Sequence, residues 1–94
     1  MGSVYILYSP SLKKHYIGSC VDIAERLRKH LDKTFADGFT AKADDWILIL
    51  EIADLGKHQI RKIEMHIKRM KSRSYIENLI RYPEMINRLK ERYQ

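Results

Sequence analysis

A chain of 94 residues can bury one modest core, so one domain over residues 1–94 is expected. Its 45% hydrophobic and 32% charged residues exclude a disordered chain, and no apolar run approaches the roughly 20 residues of a membrane helix. Eighteen Lys and Arg against twelve Asp and Glu leave a net charge of +6, a balance suited to a polyanionic partner.

Val4 to Tyr8 is predicted to be a strand, being short, β-branched and aromatic, and ended by Ser9-Pro10. A polar turn leads into a second strand, His15 to Ser19, which contains Gly18. So short a connection predicts an antiparallel hairpin. Cys20 is the only cysteine, which excludes an internal disulfide. With no secretory leader ahead of the first strand, a reduced, cytoplasmic setting is the expectation. Asp22 and Glu25 have the spacing of a capping box, opening a helix whose Ile23, Ala24, Leu27 and Leu31 should face the core. Arg26, Lys29, His30 and Lys33 fall outside that stripe.

Thr34 to Asp45 is a polar loop, and Trp46 to Ile52 is almost continuously apolar, the pattern of a central strand. A longer helix follows over about Lys57 to Lys71. Ser74 and Glu77 form a second capping box ahead of a short helix through Leu79 and Ile80. Pro83 suits the first position of a last helix, with Met85, Ile86, Leu89 and Tyr93 on its apolar side. The order β-β-α-β-α-α-α predicts the α+β class: a small three-stranded antiparallel sheet flanked by helices.

Glu64 is out of pattern. At about 100° per residue with Ile60 at zero, Ile63, Ile67 and Met70 fall near 300°, 340° and 280°, and Glu64 near 40°. A carboxylate at the edge of a buried stripe needs a cation. Lys68, one turn on, offers an exposed pair worth about 0.3–0.5 kcal/mol. Alternatively, Glu64 turns toward the tyrosines as an oxygen ligand for a hard divalent ion. Arg26 and His30 share a helical face, either as a solvated stripe or as phosphate ligands. His15, His58 and His66 lack metal-ligand spacing and read as surface residues. No Ser-His-Asp order, P-loop or dinucleotide fingerprint is visible.

Taken in order, these residues resemble the GIY-YIG nuclease family. The second signature is intact as Tyr16-Ile17-Gly18, whereas Ser3-Val4-Tyr5 keeps only the tyrosine of the first. The segment from Asp22 to His30 is similar to the family's next helix, with Arg26 at its catalytic arginine. Glu64 matches the metal-binding glutamate of the following long helix. Thr40-Ala41-Lys42 and Trp46 resemble the segment before the third strand in small single-domain bacterial members, which are related to the N-terminal domain of the excision-repair incision subunit. The likeness spans residues 3–80.

The resemblance implies a metal-dependent endonuclease that hydrolyses DNA phosphodiester bonds, structure-selective or non-specific, with a DNA repair connection. Tyr5 would contact the attacking water as the preferred general base, and Tyr16 would position that water or the phosphate. Arg26 would stabilise the transition state, and Glu64 would hold one Mg²⁺ or Mn²⁺. Ser19 stands where the excision-repair branch has lysine after its YIG, which leaves His30 as the helper. Asn78 and Asn87 are both possible matches to that branch's functional asparagine, and neither is assigned the role. Lys13, Lys14, Arg28, Lys29, Lys68 and Lys71 are candidates to track the DNA backbone, along with Arg61, Arg69 and Arg73. No membrane and no small-molecule cofactor is expected. The alternative is a nucleic-acid-binding module of the same fold with little or no activity, favoured by the missing Gly-Ile and the missing lysine.

Overall fold

In the computed structural model the described residues are 2–22, 24, 25, 28, 43–70 and 72–94. Strands β1 (Gly2–Ser9), β2 (Lys14–Cys20) and β3 (Ile47–Leu55) precede helices α1 (Lys57–Met70), α2 (Arg73–Arg81) and α3 (Pro83–Arg92). The sheet order is β2-β1-β3, with both pairings antiparallel, giving the expected α+β architecture. The apolar run from Trp46 therefore does not make a central strand: β3 is an edge and β1 is central. Side chains packed on both faces, rather than strands on both sides, account for β3's composition.

Alternation along β1 divides the interior in two. Val4 and Ile6 join Ile52, Ile63, Ile67, Ile76, Leu79 and Leu89 on the helix-covered face. Tyr5 and Leu7 join Cys20, Ala43 and Trp46 on the other. Ile63 and Ile67 are buried as the helical stripe requires, each burial contributing about 1.5–3 kcal/mol. Met70, the last residue of α1, departs from the expectation and stays exposed.

Ser72, not Ser74, caps α2: its Oγ accepts the Tyr75 N–H at 3.2 Å. That spacing places Tyr75 at the third helical position, where an N-cap side chain finds its donor. Tyr82 closes α2 by donating its N–H to the Asn78 carbonyl, and Pro83 opens α3 as expected. Asp22 Oδ1 accepts the Glu25 N–H at 3.2 Å, and Ala24, Glu25 and Arg28 have helical backbone. Ala24, at the start of that turn, is exposed rather than in the core. The other expectations for residues 23–42, including Arg26, Lys29 and His30, lie outside the described residues, as does Lys71.

His66 is not a plain surface residue. Its Nδ1 pairs with the Tyr93 hydroxyl at 2.9 Å and its Nε2 with the Tyr75 hydroxyl at 3.1 Å, tying α1 to α2 and α3. A neutral imidazole offers one donor and one acceptor, so one phenol donates and the other accepts. Burial lowers the His66 pKa, with Arg92 and Arg69 adding to the effect. Gln59 makes a second tie, accepting from the Gly56 N–H and donating to the Lys90 carbonyl at 2.9 Å. Among the described residues, no helix is long and apolar enough to cross a membrane.

Candidate active site

The register of the hairpin sets Gly18 opposite Tyr5 and Tyr16 opposite Leu7, all on one face. A Cβ at Gly18 would stand 2.6 Å from the Tyr5 hydroxyl and 3.0 Å from a Tyr16 ring carbon. Glycine is required here for close approach, because any side chain would displace a phenol. Across it the two rings lie 6.3 Å apart between centroids, tilted by 36°. Trp46 meets Tyr16 edge-on at 6.5 Å. The environments of the rings differ: Tyr5 is only 1% exposed, whereas Tyr16 is half-buried.

The turn before Tyr16 is held by Asp45. Its Oδ1 accepts the buried Ser9 hydroxyl at 2.6 Å and its Oδ2 accepts the Ser11 N–H at 2.8 Å. These bonds to Ser9 and then Ser11 hold the Asp45 carboxyl below its ordinary range. Lys13 follows at φ 54°, in the left-handed region that non-glycine residues rarely occupy.

A cavity of about 710 Å³ runs along the outer edge of β2, the edge not paired with β1. Residues 13–17 form one wall, and Lys68, Ser72, Arg73 and Ile76 form the other. Glu64 is reached through Lys68, whose Nζ lies 2.7 Å from Glu64 Oε2. The Glu64 side chain is 20% exposed, as its place beside the buried stripe predicts. Tyr5 and Tyr16 therefore meet directly, whereas Glu64 does not line the cavity and contacts Lys68, which does. Helix α1 covers the face opposite the tyrosines, so the connection passes around the edge of β2.

Among the described residues, no three His, Cys, Asp or Glu side chains converge as a metal cage. Glu64, the metal ligand that the resemblance implies, would bring a single carboxylate. One carboxylate suits a hard divalent ion that keeps several waters and takes phosphate oxygens from its substrate.

A family model described as the GIY-YIG catalytic domain matches residues 1–77. The chain belongs to the GIY-YIG family. No curated protein and no solved structure gives a significant match. The match covers the hairpin, β3 and α1 and stops within α2, so α3 lies beyond it. The domain is a nuclease domain, which makes DNA the substrate class and hydrolysis the reaction class.

Within this GIY-YIG chain, Lys13, Lys14 and Lys68 line the cavity as candidates for DNA contact, and Arg28 is exposed on the first helical turns. Sequence reasoning missed His15 and Ser72 as cavity residues. Burial lowers the His15 pKa, the Arg73 charge lowers it further, and Glu77 opposes both. No periodicity marks these two residues, because they come together only when α2 docks beside the edge of β2.

Proposed function

We propose that this protein is a metal-dependent endonuclease that hydrolyses DNA phosphodiester bonds without reading a long sequence. The cavity that Tyr16 shares with Lys68, beside Glu64, is the observation that carries this reading. Exposure supports the reverse of the roles implied by resemblance: Tyr16, half-buried at the cavity, would meet the attacking water, and Tyr5, enclosed above Gly18, would hold Tyr16 in place. Tyr16 orients the water and relays its proton, accepting it on the hydroxyl oxygen while giving up its own to solvent, as the water oxygen bonds to phosphorus and the P–O3′ bond breaks. The departing 3′ oxygen takes a proton from solvent. Lys13, Lys14 and Lys68 offer their charges to the phosphate. Arg26 neutralises charge developing on it, and His30 assists proton movement, both by their match to the family pattern.

Glu64 would hold one Mg²⁺ or Mn²⁺. Such an ion supplies Lewis acidity at the phosphate and leaving oxygen. Lys68 balances the Glu64 carboxylate and hands it over when substrate draws the ammonium toward phosphate. A cytoplasmic setting and a role in DNA repair belong to the same proposal.

One observation favours the second reading, a module that binds DNA without cutting it: Lys68 already satisfies Glu64 at 2.7 Å. Labelled linear, nicked, flap and four-way DNA, incubated with Mg²⁺ or Mn²⁺ and then with chelator, separate the two. Metal-dependent cleavage by the wild type that is lost in Glu64→Ala is the expected result. Salt-sensitive binding without cleavage under every condition establishes the binding module instead.

A further inference from the structure

We infer that the trough along the outer edge of β2 is a binding site for one unpaired nucleotide of a DNA strand and its flanking phosphates. This rests on the nuclease reading and names the substrate form. The trough's volume, about 710 Å³, falls within the range of roughly 300–1,000 Å³ typical of ligand sites. Lys13, Lys14, Lys68 and Arg73 bring four cations to it, while Ile17 and Ile76 supply apolar walls. A duplex presents phosphates but keeps its bases stacked inside. An unstacked base needs an apolar place beside the cations that hold its phosphates, and this trough has both.

The backbone at Lys13 adds to the case. Its positive φ departs from what a lysine prefers, and Asp45, through Ser9 and Ser11, fixes the turn that imposes it. Strain of this kind persists where the surroundings enforce it, and it places Lys13 at the mouth of the trough. An extended peptide pairing with the edge of β2 is the competing occupant. The cations favour a polyanion: Lys13 and Lys14 join Lys68 and Arg73, of which Lys68 is paired with Glu64 at 2.7 Å and Arg73 lies 3.4 Å from Glu77.

The site would select structure in DNA: flaps, frayed ends and single strands engage it, and intact duplex does not. Fluorescence anisotropy in EDTA, with labelled dT12, a 12-base-pair duplex and a glutamate-rich peptide, tests this without cleavage. The wild type is expected to bind dT12 at least tenfold tighter than the duplex and to ignore the peptide. Arg73→Gln and Lys13→Gly should each weaken dT12 binding about three- to tenfold, with the salt slope falling by about 0.7 per lost phosphate contact. Lys13→Gly also relieves the backbone, so its loss of binding cannot be laid to unfolding. Lys62→Gln, an exposed change on α1 outside the trough, should bind as the wild type does.

Equal binding of dT12 and duplex, an equal loss in Lys62→Gln, or tight binding of the peptide overturns the inference. Cleavage of a flap substrate with Mn²⁺ is scored separately. Wild-type cleavage with unaltered Arg73→Gln and Lys13→Gly binding sinks the trough and spares the nuclease. Weakened binding by these variants, with no wild-type cleavage, does the reverse.

Discussion

On one face of the sheet, Val4 and Ile6 meet an apolar layer drawn from three helices, with His66 and Gln59 bridging above it. On the other face, two phenols converge over a glycine, next to a tryptophan and a half-open edge. The same strand, β1, serves both through its alternation. On the function proposed above, stability rests chiefly on the helix face, while the chemistry draws on the tyrosine face and on Glu64 at the edge of α1, and substitutions can separate the two.

The largest effect is expected at Tyr16. Tyr16→Phe keeps the ring against Tyr5 and Trp46 but removes the hydroxyl, so single-turnover cleavage should fall about 10²–10⁴-fold with little change in melting temperature. A large loss of stability in that variant would blur the comparison. Ile67→Ala is the converse. It empties a fully buried position under the sheet and should cost about 2–5 kcal/mol by denaturant titration, with the folded fraction still cutting normally.

Gly18→Ala reports on the contact between the phenols. Its methyl would strike the Tyr5 hydroxyl and ring, costing about 1–3 kcal/mol as well as activity. Pairing it with Tyr5→Phe should recover part of the stability in a double-mutant cycle and none of the cleavage lost. Tyr93→Phe removes one partner of His66 and should cost about 0.5–1.5 kcal/mol, without effect on cleavage.

The smallest effect is on pH dependence. His15 and His66 both have pKa values lowered from 6.5, so the unfolded chain binds their protons first. Their contribution is complete above pH 6.5 and declines as pH falls through the lower folded values. Asp45, lowered from 3.8, adds a second decline at more acid pH by the same sign. Melting temperatures of the wild type should therefore fall on acidification below pH 6.5, and His66→Gln should flatten the upper part of that curve.

The hairpin, α1 and α3 were legible because period-2 and period-3.6 patterns, turn residues and Pro83 agree with one another. The place of β3 was not, since an apolar run records burial on two faces without recording strand neighbours. Ser72 and Ser74 both suit an N-cap chemically, and only the docked α2 decides between them. In the candidate site, Tyr16 and Glu64 stand out in the sequence by residue type and order, as the resemblance matches them. The Glu64–Lys68 pair follows from its i,i+4 spacing, whereas the burial of Tyr5 and the cavity at the edge of β2 depend on tertiary packing that spacing along the chain does not encode. His66 was missed for the same reason: its partners lie 9 and 27 residues away.

The central claim is that Glu64 and Tyr16 serve one ion-sized space around the edge of β2. Paramagnetic broadening of tyrosine ring signals by Mn²⁺ measures this directly. Strong broadening of Tyr16, with Tyr82 and Tyr93 unaffected and the effect abolished in Glu64→Gln, is the result predicted. Tyr16 signals that stay sharp while Mn²⁺ is bound at Glu64, or broadening that survives Glu64→Gln, would contradict it.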